Sequence, residues 1–225
     1  MRFKEKLLLG LTLLPVGFNA VADTLHDSLT AATAVSAGYN LVSDANFGPL
    51  AESFSTGSSD FLLSDIQLAL TVNDPSSTGT VTVSLLSDSS TSPGAIIATL
   101  GTVNDSALSA YTPATVDFLQ ATAIDLAANT RYWVEVSASS DSSAGWSYTA
   151  DTTGIGVANE FNANSFQVYS NSGDPFLTLI NDPNQLQVNG VAAVPLPTAA
   201  WLFASALGAL TALRRRPALF NFNQA

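Results

Sequence analysis

Residues 129–138 read Asn129-Thr130-Arg131-Tyr132-Trp133-Val134-Glu135-Val136-Ser137-Ala138, and this stretch decides the fold class. In an extended chain Tyr132, Val134 and Val136 fall on one face, and Trp133, Glu135 and Ser137 on the other. The β-branched and aromatic residues suit a pleated surface. The same period of two runs through Phe61–Val72, where Ile66, Leu68, Leu70 and Val72 alternate with Asp65, Gln67, Ala69 and Thr71. Each segment predicts a strand with one buried face.

Shorter strands follow on either side. Leu50–Ser55 is separated from Phe61–Val72 by Thr56-Gly57-Ser58-Ser59-Asp60, and Asn73–Gly79, with Asp74-Pro75, predicts a turn. Thr80–Leu86, Ala95–Leu100 and a segment around Val116 and Phe118 read as strands, with a polar loop over Ser87–Gly94. Trp146 and Tyr148 lie beyond the serine-rich Ser139–Gly145. Ser165–Ser170 is expected to pair with Phe176–Ile180 across Asn171–Pro175, and Gln185–Val191 reads as a last strand. Asp23–Leu50 is a weakly patterned lead-in. Short strands, frequent turns and no convincing helix in this body predict an all-β, antiparallel β-sandwich, jelly-roll-like. A β-solenoid would need a fixed repeat, and none is found.

Both ends predict helices flanking that body. Met1–Ala22 reads as a signal peptide: Arg2, Lys4 and Lys6, then apolar Leu7–Leu14, then Ala20-Val21-Ala22 as a cleavage site before Asp23. At the other end, Leu196–Leu213 is an uncharged run of 18 residues ending at Arg214, Arg215 and Arg216. As a helix it spans about 27 Å, close to a bilayer's hydrocarbon core. Trp201 suits the headgroup level and the arginines a cytoplasmic stop. The expected organisation is a signal helix over 1–22, an exported β-sandwich over 23–193, a sorting signal with a transmembrane helix over 194–216, and an extension over 217–225. The expected location is the cell envelope, surface or extracellular matrix, with anchorage in the inner membrane at least in passing. Secretion machinery and signal peptidase are the partners this organisation implies.

Charge narrows the function. Seventeen of the 18 acidic side chains fall beyond the signal segment, whereas Arg131 is the single base between Asp23 and Val194. Such a body lacks the cations that phosphate contacts need, which excludes a nucleic-acid binder. The absence of cysteine excludes thiolate chemistry and disulfides.

Val194-Pro195-Leu196-Pro197-Thr198-Ala199-Ala200-Trp201-Leu202-Phe203, followed by Gly208 and the three arginines, resembles the PEP-CTERM sorting signal of Gram-negative bacteria. The resemblance implies processing near the proline motif by an exosortase, and an association with exopolysaccharide. Val194, Pro195, Leu196, Pro197, Trp201, Arg214, Arg215 and Arg216 carry the motif. The chain departs from the usual pattern in continuing through Pro217–Ala225. A second likeness rests on Leu50–Gly57 with Phe61–Ile66, Val81–Asp88, Ser92-Pro93-Gly94 with Ile97–Leu100, and Leu126–Val134. These segments resemble the choice-of-anchor R family, which implies a β-rich module with an interchangeable sorting tail and no established catalytic residues.

Enzymatic constellations are sparse. His26 is the one histidine, and its place just past the expected cleavage site predicts mobile surface rather than a catalytic base. A glycosidase needs two converging carboxylates, and Glu52 and Glu135 fall on predicted strands. The reading is therefore non-enzymatic, with no catalytic residue and no required cofactor. A carbohydrate-binding module is the alternative, with Trp133, Trp146 and Tyr148 as candidate stacking platforms. Asp88, Asp141, Asp174 and Asp182 sit in turn-like segments and are weak candidates for a structural calcium. Arg131 is expected to pair with a nearby carboxylate.

Overall fold

In the computed structural model, the described residues are 22–30, 36–42, 49–90, 92–120, 122–151, 153–156, 166–168, 177–179, 183–193 and 207. All but the last two, Ala193 and Leu207, belong to one compact unit, Met1–Ala192. Its strands in chain order are β1 (Ala22–Asp27), β2 (Ser36–Leu41), β3 (Leu50–Ser55), β4 (Phe61–Val72), β5 (Thr80–Asp88), β6 (Pro93–Asn104), β7 (Ala114–Leu119), β8 (Asp125–Leu126), β9 (Arg131–Ala138), β10 (Ala144–Thr149), β11 (Phe166–Val168), β12 (Leu177–Leu179) and β13 (Leu186–Ala192). A single 3-10 turn, Asp105–Ala107, follows β6.

The strands form two antiparallel sheets. One runs β1-β13-β4-β10-β2, with β7 and β8 on the other edge of β4; the second runs β12-β11-β3-β9-β5-β6. β4 organises the first sheet. Asp65–Leu68 pair with β13 on one side and β7 on the other, and Leu70–Val72 pass to β10. From β2 to β10 the chain crosses between sheets repeatedly, laying β2-β10-β4-β7 against β3-β9-β5-β6. That winding makes most of the pairing non-local and joins strands far apart in sequence.

The alternation read from the sequence fixes which side chains meet inside. Ile66, Leu68, Leu70 and Val72 of β4, with Trp146, Leu186 and Val188, pack against Val81, Val83, Leu85, Tyr132, Val134 and Val136 from the facing sheet. Phe54 and Tyr132 stack there, with ring centroids 5.8 Å apart. The one-buried-face expectation for β4 needs amending near its end. Ala69 and Thr71 are buried too. The loop after the 3-10 turn covers them: Thr71 Oγ1 and Val72 N–H both donate to the Ser109 carbonyl, at 2.9 Å each.

The sequence predicts one half of this architecture correctly. The all-β body with two antiparallel sheets stands. The two expected flanking helices, a signal helix over 1–22 and a transmembrane helix over 194–216, are not found among the described residues, where no helix is long and apolar enough to cross a membrane. Ala22, expected to end the signal segment, instead begins β1 and sits opposite Val191. The membrane-anchored, exported location expected from those helices thus has no membrane-crossing helix behind it among the described residues. Residues 1–21, the proline motif Val194–Pro197, Trp201 and Arg214–Arg216 lie outside the described residues.

One loop contact carries a prediction of its own. Asp105, buried at the start of the 3-10 turn, accepts from Ser142 Oγ at 2.8 Å, from the Ser143 N–H at 3.0 Å and from Ser77 Oγ. It therefore ties the β4–β5 and β9–β10 connections together. Asp105→Ala removes the acceptor of the buried Ser142 hydroxyl and of the half-buried Ser143 N–H and is expected to cost about 2 kcal/mol, read from urea denaturation followed by far-UV circular dichroism. An unchanged midpoint would show that the clamp contributes nothing.

Candidate functional site

Each residue singled out in the sequence has a definite place. Trp133 is fully buried on the outer face of the second sheet, packed with Ala51 and Leu86. Its indole N–H donates to Asp88 Oδ1 at 2.9 Å, and Arg131 Nη1 lies 3.7 Å from the same oxygen. Arg131 thus has the carboxylate partner expected of it. Asp88 thus meets one cation and one neutral indole donor. Trp146 is fully buried in the main core, its indole N–H donating to the Gln185 carbonyl at 2.9 Å. Tyr148 is half-buried and lies against Gly38, where an added Cβ would sit 2.7 Å from its hydroxyl.

The expectation of stacking platforms is therefore corrected for both tryptophans. Each ring is enclosed on both faces because its strand is flanked by neighbours in the sheet. Asp141 is exposed, and its backbone carbonyl receives Ser77 Oγ at 2.7 Å. Asp174 and Asp182 lie outside the described residues. Among the described residues, no three histidine or acidic side chains gather as metal ligands would.

Glu52 and Glu135 do not converge. In the β3–β9 ladder Glu52 lies opposite Val134, and Glu135 opposite Ala51. Partners share a face and neighbours along a strand do not, so the two carboxyls leave opposite faces of the sheet.

Glu52 instead joins a polar seam inside the sandwich. It shares the inward face with Leu50 and Phe54 and is fully buried. Oε2 accepts the Asn184 N–H at 3.1 Å, while Oε1 has no partner. The Asn184 carbonyl accepts Ser28 Oγ at 2.7 Å, and the Asn184 side chain is buried with neither polar atom bonded. Two residues before Ser28 stands His26, which lies opposite Val188 in the β1–β13 ladder and so shares that core residue's face. His26 is 1% exposed, and neither ring nitrogen makes a hydrogen bond of good geometry. The mobile surface position expected for it is corrected: β1 is the edge strand that closes the first sheet, and its bulge between Thr24 and His26 turns the imidazole inward.

Burial sets the electrostatics of the seam. It pushes the Glu52 carboxyl well above the ordinary carboxylate range, opposed by the Asn184 N–H. It pulls the His26 imidazole down to about 4, against the Asp27 charge and the Gly156 backbone, which both raise it. His26 is therefore neutral near pH 6, and Glu52 holds its proton to a higher pH than an exposed carboxyl does. Burial also raises the half-buried Glu135 carboxyl.

Beside the seam, between β1 and the β3–β4 turn, is a cleft of about 350 Å³. Asp23, Thr24, Thr56 and Ser58 line it with oxygen, and Phe61 and Ile155 with carbon. It offers hydrogen-bond donors and acceptors with one carboxylate and no base. His26 does not reach it as a lining residue, so no histidine and hydroxyl are paired there.

Fold and seam define an antiparallel β-sandwich in which Trp133, Trp146 and the Glu52 carboxyl are buried in internal contacts. No protein-family model matches the chain, and no curated protein matches it significantly.

Proposed function

We propose that this chain is a non-enzymatic β-sandwich protein that is a substrate of an exosortase-like processing enzyme and acts in association with exopolysaccharide. The observation that carries the non-catalytic part is the internal use of its candidate groups. Trp133 and Trp146 are fully buried, Asp88 holds Trp133 and Arg131, and Glu52 and Glu135 face opposite ways. Processing and the exopolysaccharide association rest on the likeness of Val194–Arg216 to the PEP-CTERM signal. The burial of both tryptophans favours this reading over a carbohydrate-binding module built on exposed rings.

The test is an intact-mass measurement on the full chain expressed with and without an exosortase-like enzyme in an exopolysaccharide-producing Gram-negative host. The expected product ends near Pro195–Pro197 only when the enzyme is present, and a Pro195→Ala, Pro197→Ala double variant stays uncut. A chain that keeps Ala225 in the presence of active enzyme overturns the processing role. Failure of the cut chain to co-sediment with the host's exopolysaccharide overturns the association.

A further inference from the structure

The cleft between β1 and the β3–β4 turn has walls that the backbone holds in place. Gly57 and Gly156, the two glycines with positive φ among the described residues, both line it, at 65° and 66°. An added Cβ at Gly156 would sit 2.5 Å from the Leu25 carbonyl oxygen. Glycine therefore lets this segment lie on β1, where the Ile155 carbonyl accepts the Asp27 N–H at 2.8 Å. An added Cβ at Gly57 would meet nothing within 4 Å and would stand in open space. Beside it Thr56 is tied twice, its N–H donating to the Thr130 carbonyl at 3.2 Å and its hydroxyl to the Ala127 carbonyl at 2.7 Å. Ser55, also in the lining, is 4% exposed, and its hydroxyl has no hydrogen-bond partner.

We infer that this cleft binds one uncharged sugar ring. Its lining disfavours the other ligand classes in turn. It holds no base to meet a phosphate, a sulfate or a uronate, and Asp23 repels all three. Six of the eleven lining residues carry a hydroxyl or a carboxylate, so a hydrocarbon would strip water from oxygens that it cannot bond. A cation would have Asp23 alone to pair with, and that carboxylate is exposed, where an ion pair is worth little. Serine and threonine hydroxyls both donate and accept, as sugar hydroxyls do, and Phe61 and Ile155 offer carbon to the C–H face of a ring. A volume of about 350 Å³ is at the small end of ligand pockets, roughly 300–1,000 Å³, and admits one ring, not a chain. The polymer of the exopolysaccharide association proposed above, on which this step rests, supplies that ring as a terminal unit.

Amide-resolved NMR titration of the full chain with the methyl glycosides of glucose, galactose and mannose tests this. At least one is expected to bind with a Kd in the millimolar range, moving the amides of Asp23–Leu25, Ser55–Ser59 and Ile155–Gly156. Glucuronate is expected to bind roughly tenfold more weakly than glucose, and glucosamine no more tightly. Gly57→Asn keeps a residue that tolerates positive φ and adds a side chain to the cleft, and Ser58→Phe fills it from an exposed position. Each is expected to weaken binding roughly tenfold with the melting temperature unchanged. If Gly57→Asn disturbs folding, Ser58→Phe still decides the question. The inference is overturned by unmoved lining amides up to about 50 mM glycoside, by tighter binding of glucosamine, or by both variants binding like the parent. Glycoside binding without co-sedimentation upholds the cleft and fails the exopolysaccharide association alone. Co-sedimentation with no glycoside binding fails the cleft alone.

Discussion

Trp146→Ala is expected to destabilise the body by about 3–5 kcal/mol, a large share of the roughly 5–15 kcal/mol that holds a domain together. The ring is fully enclosed between the sheets, so its removal leaves a cavity that neighbouring Leu70 and Leu186 cannot collapse to fill. The Gln185 carbonyl also loses its indole donor. That carbonyl receives the Ala69 N–H as well, where β13 and β10 meet along β4. Trp146→Phe restores most of the volume without the donor and is expected to recover more than half of the loss. Urea denaturation followed by far-UV circular dichroism gives both values. A cost below about 1 kcal/mol for alanine would put the ring at the surface and reopen its use as a sugar platform.

The second large effect is a stability profile with two opposing slopes. The native state keeps His26 neutral down to about pH 4, whereas the unfolded chain protonates it near 6.5. The unfolded state therefore binds the extra proton between those values, and stability falls as pH is lowered through that window, by about 3 kcal/mol in total. Glu52 works the other way. Its native pKa is raised, so above about 4.5 the unfolded chain releases a proton that the native state retains, and stability falls as pH rises. Glu135 adds a contribution of the same sign.

Above about pH 4.5 the Glu52 slope opposes the His26 slope, and single variants should separate them. Glu52→Gln leaves a curve that climbs from pH 4 to 6.5. His26→Leu leaves one that descends with pH from about 4.5 upward. Chemical denaturation at half-unit pH steps reads both. If the two variants share the parent's profile, the groups are not held neutral inside the sandwich.

What could be read in advance tracks the range of the contacts involved. β4 and β9 were legible because their alternation is local: each strand's own residues declare the buried side. The β11–β12 pair was legible for the same reason, with two short apolar runs flanking turn residues, and Phe166 now lies opposite Leu179. β1, β2 and β10 were not legible. They are short and polar, and their partners are remote, as with His26 opposite Val188 or Trp146 opposite Asn40. Ser147 is buried although it alternates with the aromatics, because Gln185 Oε1 and the Gly38 carbonyl both accept from its hydroxyl. No local pattern announces such a partner.

The seam was not read in advance. Glu52 has the same parity as Leu50 and Phe54, and that local signal could have placed its carboxyl among apolar neighbours. His26 carried no such sign, since the bulge before it breaks the count. The burial of Trp133 depends on the neighbours that close the outer face of its sheet, and one strand's composition does not reveal whether a second face is open or closed.

Ala22 and Val191 are opposite one another at one end of the β1–β13 ladder, with Asp27 and Gln187 at the other. Both ends of the body therefore leave from the same corner. A force that drew them apart would load the rungs singly, peeling the ladder open, whereas strands pulled from opposite corners share the load in shear. Held by one end alone, the body bears no tension across that seam and swings from a single point.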